Sequence, residues 1–84
     1  MVVNIYLFIE LLRAANAADT ADHIKSLSLA NCKFANVVVL SFDKLVAQLD
    51  CSTPEDGTKA IVEDIAKVEG VVQTNVIAVV RPVH

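Results

Sequence analysis

Apolar residues recur at every second position from Val3 to Leu11, with Asn4, Tyr6, Phe8 and Glu10 between them. A period of two in β-branched and aromatic residues marks a strand, so residues 2–12 (VVNIYLFIELL) are predicted to form the first one. Over residues 14–27 the period lengthens to that of a helix. Ala17, Ala21, Ile24 and Leu27 share one face, while Asp19, Asp22, His23 and Lys25 point elsewhere. Asn16 is the predicted N-cap, with Asp19 three positions on at the positive end of the helix. His23 reads as a solvated surface residue.

Residues 34–40 and 45–51 are two further apolar runs, separated by Ser41-Phe42-Asp43-Lys44, and are expected to pair as an antiparallel hairpin. Ser52-Thr53-Pro54-Glu55-Asp56 then opens a second helix: Thr53 caps, Pro54 takes the first helical position, and the acids suit the first turn. That helix is expected to run to about Val68 and stop at Gly70, burying Thr58, Ile61, Ile65 and Val68. Glu55/Lys59 and Glu63/Lys67 are expected as i,i+4 pairs on its outside. Gly57 inside it costs about 1 kcal/mol relative to alanine. Residues 71–80 (VVQTNVIAVV) are the last strand, ended by Pro82. On strict alternation Gln73, Asn75, Ile77 and Val79 share one side of it.

The predicted order, β-α-β-β-α-β, is the ferredoxin-like α+β plan in a single domain covering residues 1–84. An internal repeat supports it: NVVVL at 36–40 and NVIAV at 75–79 match at an offset that also places Asn31 over Gly70. Asparagine is the next-best residue to glycine for a left-handed position, so both are expected to turn the chain there.

Composition sharpens this picture in one respect. Apolar residues make up 55% of only 84, more than so small a core hides, which points to a buried contact between subunits. In a plan with both helices on one face, the other face shows Tyr6, Phe8, Val46, Ile77 and Val79 beside Asn4, Gln48, Gln73 and Asn75. Such a patch exceeds what a soluble monomer exposes, so a homodimer pairing these faces is expected. The net charge of −3 with no basic run argues against direct nucleic-acid binding.

Cys32 and Cys51 read as two small buried hydrophobes in a reducing cytoplasm, with a disulfide or a metal site as the alternatives; a metal would have only His23 and His84 to add. The apolar start lacks a preceding Lys or Arg and carries Glu10, so neither a leader nor a membrane span is expected. No catalytic constellation, metal set or cofactor motif stands out.

Phe42-Asp43, followed by an apolar strand ending in an acid, resembles the "G-x-(Y/F)-D" turn in the effector-binding domain of leucine-responsive/AsnC-type (Lrp/AsnC) transcription regulators. The passage Ile65-Ala66-Lys67-Val68-Glu69-Gly70-Val71, with Thr74 and Ile77-Ala78-Val79, is similar to the final segment of that domain. The resemblance implies a dimeric α/β-barrel that assembles further, up to a tetramer of dimers, and holds small effectors such as amino acids. Carried over by position, the ligand-binding residues are Leu40, Ser41, Phe42, Asp43 and Thr74, with Asp43 taking an ammonium group and Ser41 a carboxylate or amide. Leu40 stands where the family motif has glycine. The family's DNA-binding half is not in the sequence, so the resemblance implies an effector module working through full-length regulators of that type. Two other readings are a small dimeric barrel enzyme of monooxygenase or isomerase type, using Asn4, Tyr6, Gln48, Gln73 and Asn75, and a chaperone that adds a leader peptide to a sheet edge.

Overall fold

The computed structural model describes residues 2–81. Pro82 and His84, expected as a strand terminator and a conceivable metal ligand, lie outside the described residues. Strands β1 (Val3–Leu11), β2 (Cys32–Ser41), β3 (Lys44–Cys51) and β4 (Val71–Val80) alternate with helices α1 (Ala17–Lys25) and α2 (Pro54–Glu63). They form one antiparallel sheet in the order β2-β3-β1-β4. Four antiparallel strands and two helices in the order β-α-β-β-α-β are compatible with the ferredoxin-like plan.

Alternation decides which side of the sheet is core. Val3, Ile5, Leu7, Ile9 and Leu11 of β1 and Leu45, Ala47, Leu49 and Cys51 of β3 are buried. They merge with Ala17, Ala21 and Ile24 of α1, Ala60 and Ile61 of α2, and Ile65 and Val68 beyond it into a single cluster. Both central strands thus put one face under the helices, as a period of two requires. The opposite face is open.

The caps act as the sequence suggests. Asn16 Oδ1 accepts the Asp19 amide at 2.9 Å, and Thr53 Oγ1 accepts the Asp56 amide at 3.1 Å. Asn31 and Gly70, the equivalent positions of the repeat, both adopt left-handed backbone, with φ of 60° and 95°. Each also extends the sheet by a carbonyl: Ser52 N donates to Asn31 O at 3.0 Å and Leu12 N to Gly70 O at 2.8 Å.

Several expectations on α2 are corrected. The helix ends at Glu63, with Asp64 as its C-cap still donating its amide to Ala60 O at 3.0 Å, and a 3₁₀ turn over Ile65–Lys67 follows. With three residues per turn, that segment aligns Ile65 and Val68 on the core side, which a continued α-helix would do less directly. The buried stripe runs through Gly57, Ala60 and Ile61, so Thr58 faces outward, its hydroxyl donating to Pro54 O at 3.2 Å. The Glu55/Lys59 and Glu63/Lys67 pairs do not close; among the described residues the one ion pair is Lys44 with Asp43. Gly57 has a packing reason: a Cβ there would overlap Cδ1 of Ile5, so any larger residue makes the tip of that side chain turn aside.

The cysteine reading is also corrected. Cys32 and Cys51, directly opposite each other on β2 and β3, form a disulfide. Nineteen positions apart in sequence, they become neighbours only once the hairpin register is set. With both cysteines in this bond, no free thiol is left to mark a reducing compartment. Among the described residues no helix is long and apolar enough to cross a membrane.

Candidate functional site

Cross-strand pairing sorts the open face into rows that run across the sheet. Ser41, Lys44, Glu10 and Gln73 form the row nearest the β2–β3 turn; Val38, Val46, Phe8 and Asn75 form the next. Asn36, Gln48, Tyr6 and Ala78 follow, then Lys33, Asp50, Asn4 and Val80. Residues directly opposite share a face, so each row is a line of neighbouring side chains.

This arrangement keeps Tyr6, Phe8 and Val46 on the open face, half-buried, and corrects the placement of Ile77 and Val79. The β1–β4 register slips between Tyr6 and Leu7, leaving Ile77 as the extra residue of a bulge. One inserted residue reverses the alternation beyond it. Val79 therefore lies opposite Ile5 on the helix side, and Ala78 and Val80 take the open face. A valine-rich strand carries no local mark of such a bulge.

The five residues expected to bind a ligand are not brought together. Leu40, the unpaired residue of a slip between Val39 and Ser41, lines the open face. Ser41 Oγ donates to Asp43 Oδ1 at 3.0 Å, and Lys44 Nζ lies 3.5 Å from the same oxygen. That hydroxyl above all, with Lys44 beside it, holds the Asp43 carboxyl below its ordinary value of 3.8, against desolvation acting the other way. Asp43 also receives the Leu11 amide on its carbonyl at 2.8 Å, so both ends of this residue organise the turn. Phe42 is exposed beneath the Arg13 guanidinium, 5.5 Å from its ring centre, a cation–π contact that ties the turn to the end of β1. Neither Phe42 nor Asp43 takes a positive φ, so this two-residue loop is not of a primed type, and the slip at Leu40 accommodates the strand twist. Thr74 lies opposite Ile9, on the helix side, away from the other four.

What the open face does assemble is a depression of about 230 Å³ lined by Phe8, Glu10, Leu40, Lys44 and Asn75. Phe8 and Leu40 give it apolar walls. Glu10 and Lys44 are direct cross-strand partners, yet the Lys44 ammonium leans to Asp43 and closes no ion pair with Glu10. A carboxylate, an ammonium and an amide therefore border one apolar hollow. Sequence reasoning missed Glu10 and Lys44 as a pair because Lys44 read as a turn residue; it is the first residue of β3.

Four of the five polar residues offered for an enzymatic cleft are held in side-chain hydrogen bonds, two of them to Asp50. Asn4 Nδ2 donates to Asp50 Oδ1 at 2.6 Å, Gln48 Nε2 to the same oxygen at 3.2 Å, and Gln73 Nε2 to Asn75 Oδ1 at 3.2 Å. A larger depression of about 390 Å³ lies at the loop end of α1, with Asp19, His23, Glu69 and Gly70 around it. Two of its polar groups are engaged in structure: Asn16 caps α1, and Thr20 Oγ1 donates to Asn16 O at 2.8 Å. Among the described residues no group of three or more His, Cys, Asp or Glu side chains is placed to hold a metal ion.

No family model, curated protein or solved structure matches the chain. The fold defines a class, a small α+β domain whose four-stranded antiparallel sheet carries its two helices on one face.

Proposed function

We propose that this chain is a small-molecule sensing and oligomerisation module of the Lrp/AsnC effector type, taking free amino acids and acting on transcription through a partner regulator. One observation supports the ligand class best: Glu10 and Lys44 flank an apolar hollow walled by Phe8 and Leu40. A free amino acid carries an ammonium, a carboxylate and a side chain, and this set complements all three. In this reading the binding carboxylate is Glu10, because Asp43 accepts the Ser41 hydroxyl, and Lys44 leaves its 3.5 Å contact with Asp43 to meet the ligand carboxylate. Asn75 replaces Thr74 as the contribution of β4.

The same face carries Tyr6, Phe8, Val38 and Val46, and a second copy laid face to face, as in a dimeric α/β-barrel, encloses both the apolar band and the hollow. Closure of this kind removes water from the Glu10 and Lys44 contacts and strengthens them. Thermal-shift measurement against the twenty amino acids tests the proposal. At least one is expected to raise the melting temperature, and Glu10→Gln or Lys44→Met to abolish that rise while the free protein melts nearly as before. Silence across the panel refutes amino-acid sensing.

A further inference from the structure

β4 is uncovered on three sides. It is an edge strand, so one line of its backbone donors and acceptors has no partner in the sheet. On the open face it presents Ala78 and Val80. On the helix side, where β1 and β3 are fully buried, Val76 and Val79 remain 53% and 47% exposed, because neither helix reaches over them. A lid on either face would leave the backbone edge open. Only another strand pairs that edge, and its side chains then flank Val76 and Val79 on the helix side and Ala78 and Val80 on the open face.

We propose that the occupant is the β4 strand of a second copy, paired antiparallel so that the two sheets continue into one. Residues 71–80 contain no charged side chain, so self-pairing sets no like charges opposite one another. The strand also lacks the inward lysine or proline with which natural edges discourage pairing. By contrast, the other edge, β2, carries Lys33 near its start. Register follows from the faces. A twofold through Asn75 sets Val71 opposite Val79 and Thr74 opposite Val76, joining the four helix-side residues of β4 in like-faced pairs.

This contact is separate from the face-to-face contact proposed above and uses different side chains. Its twofold stands perpendicular to the sheet, whereas that of the face contact lies parallel to it. With the two axes intersecting, the two isologous contacts close at four chains.

Light scattering on four proteins tests this and separates the two contacts. The unaltered chain is expected as a four-chain particle. Val76→Lys with Val79→Lys, which adds the inward charges that natural edges use, is expected to give two-chain particles. Phe8→Lys with Val46→Lys is expected to give two-chain particles held by the edge, and the four changes together single chains. An edge variant that keeps the mass of the unaltered chain overturns the edge proposal. Open-face variants that do so overturn only the face contact. A single-chain unaltered protein overturns both. Should the lysine variants not fold, Thr74→Cys with Val76→Cys decides, on the helix side that the face contact does not touch: oxidation is expected to trap a covalent two-chain species, and its absence overturns the edge register.

Discussion

Asp43 illustrates how a residue that reads as a ligand contact is used by its own turn. The Ser41 hydroxyl and the Lys44 ammonium both favour the ionised carboxyl, so its folded value lies below 3.8. A depressed value means that the stabilisation is fully present above about pH 4 and is lost as pH falls through the folded value. Ser41→Ala is expected to move the Asp43 titration back up toward 3.8, followed by NMR on the side-chain carboxyl; an unchanged titration removes the serine from this role. The turn was legible as a turn, because Ser, Asp and Lys between two apolar runs are local signals. Which carboxylate is left for a ligand was not, since Glu10 and Lys44 lie on different strands and become neighbours only through the β1–β3 register.

At the scale of elements, the strands, both N-caps and the paired left-handed positions at Asn31 and Gly70 follow from periodicity and local chemistry. Elements failed to follow where packing overrides propensity: the 3₁₀ turn after α2, the outward Thr58, and the bulge at Ile77. The Cys32–Cys51 bond belongs here too, because it ties the start of the edge strand β2 to the end of β3 just before the Thr53 cap. Closing a loop of this length stabilises a fold by about 3 kcal/mol. Reduction, or Cys32→Ser with Cys51→Ser, is therefore expected to lower unfolding stability by that amount in urea titrations. Alkylation before lysis, read by mass spectrometry, reports whether the bond exists where the protein works. A cytoplasmic setting, part of the proposed regulatory role, predicts the alkylated thiol form there.

For the whole molecule, the balance between core and surface is the governing fact. One cluster under the helices holds the buried apolar side chains, while Val38, Leu40, Val76, Val79 and Val80 are left at the surface. A domain of this size has little stability to spare, so covering those side chains couples folding to association. The melting temperature is accordingly expected to rise by about 4 °C for each tenfold increase in chain concentration. A melting temperature independent of concentration over two decades contradicts this coupling.

By itself the sequence determined the order of strands and helices, where each helix begins, and which face of β1 and β3 is core, because periodicity and capping act within a few residues of chain. Only the tertiary structure decided the facing of β4 beyond its bulge, the joining of Cys32 to Cys51, and the meeting of Glu10, Lys44 and Leu40 around one hollow. Each of these depends on register between strands distant in sequence. A shift of one residue there moves a side chain to the opposite side of the sheet.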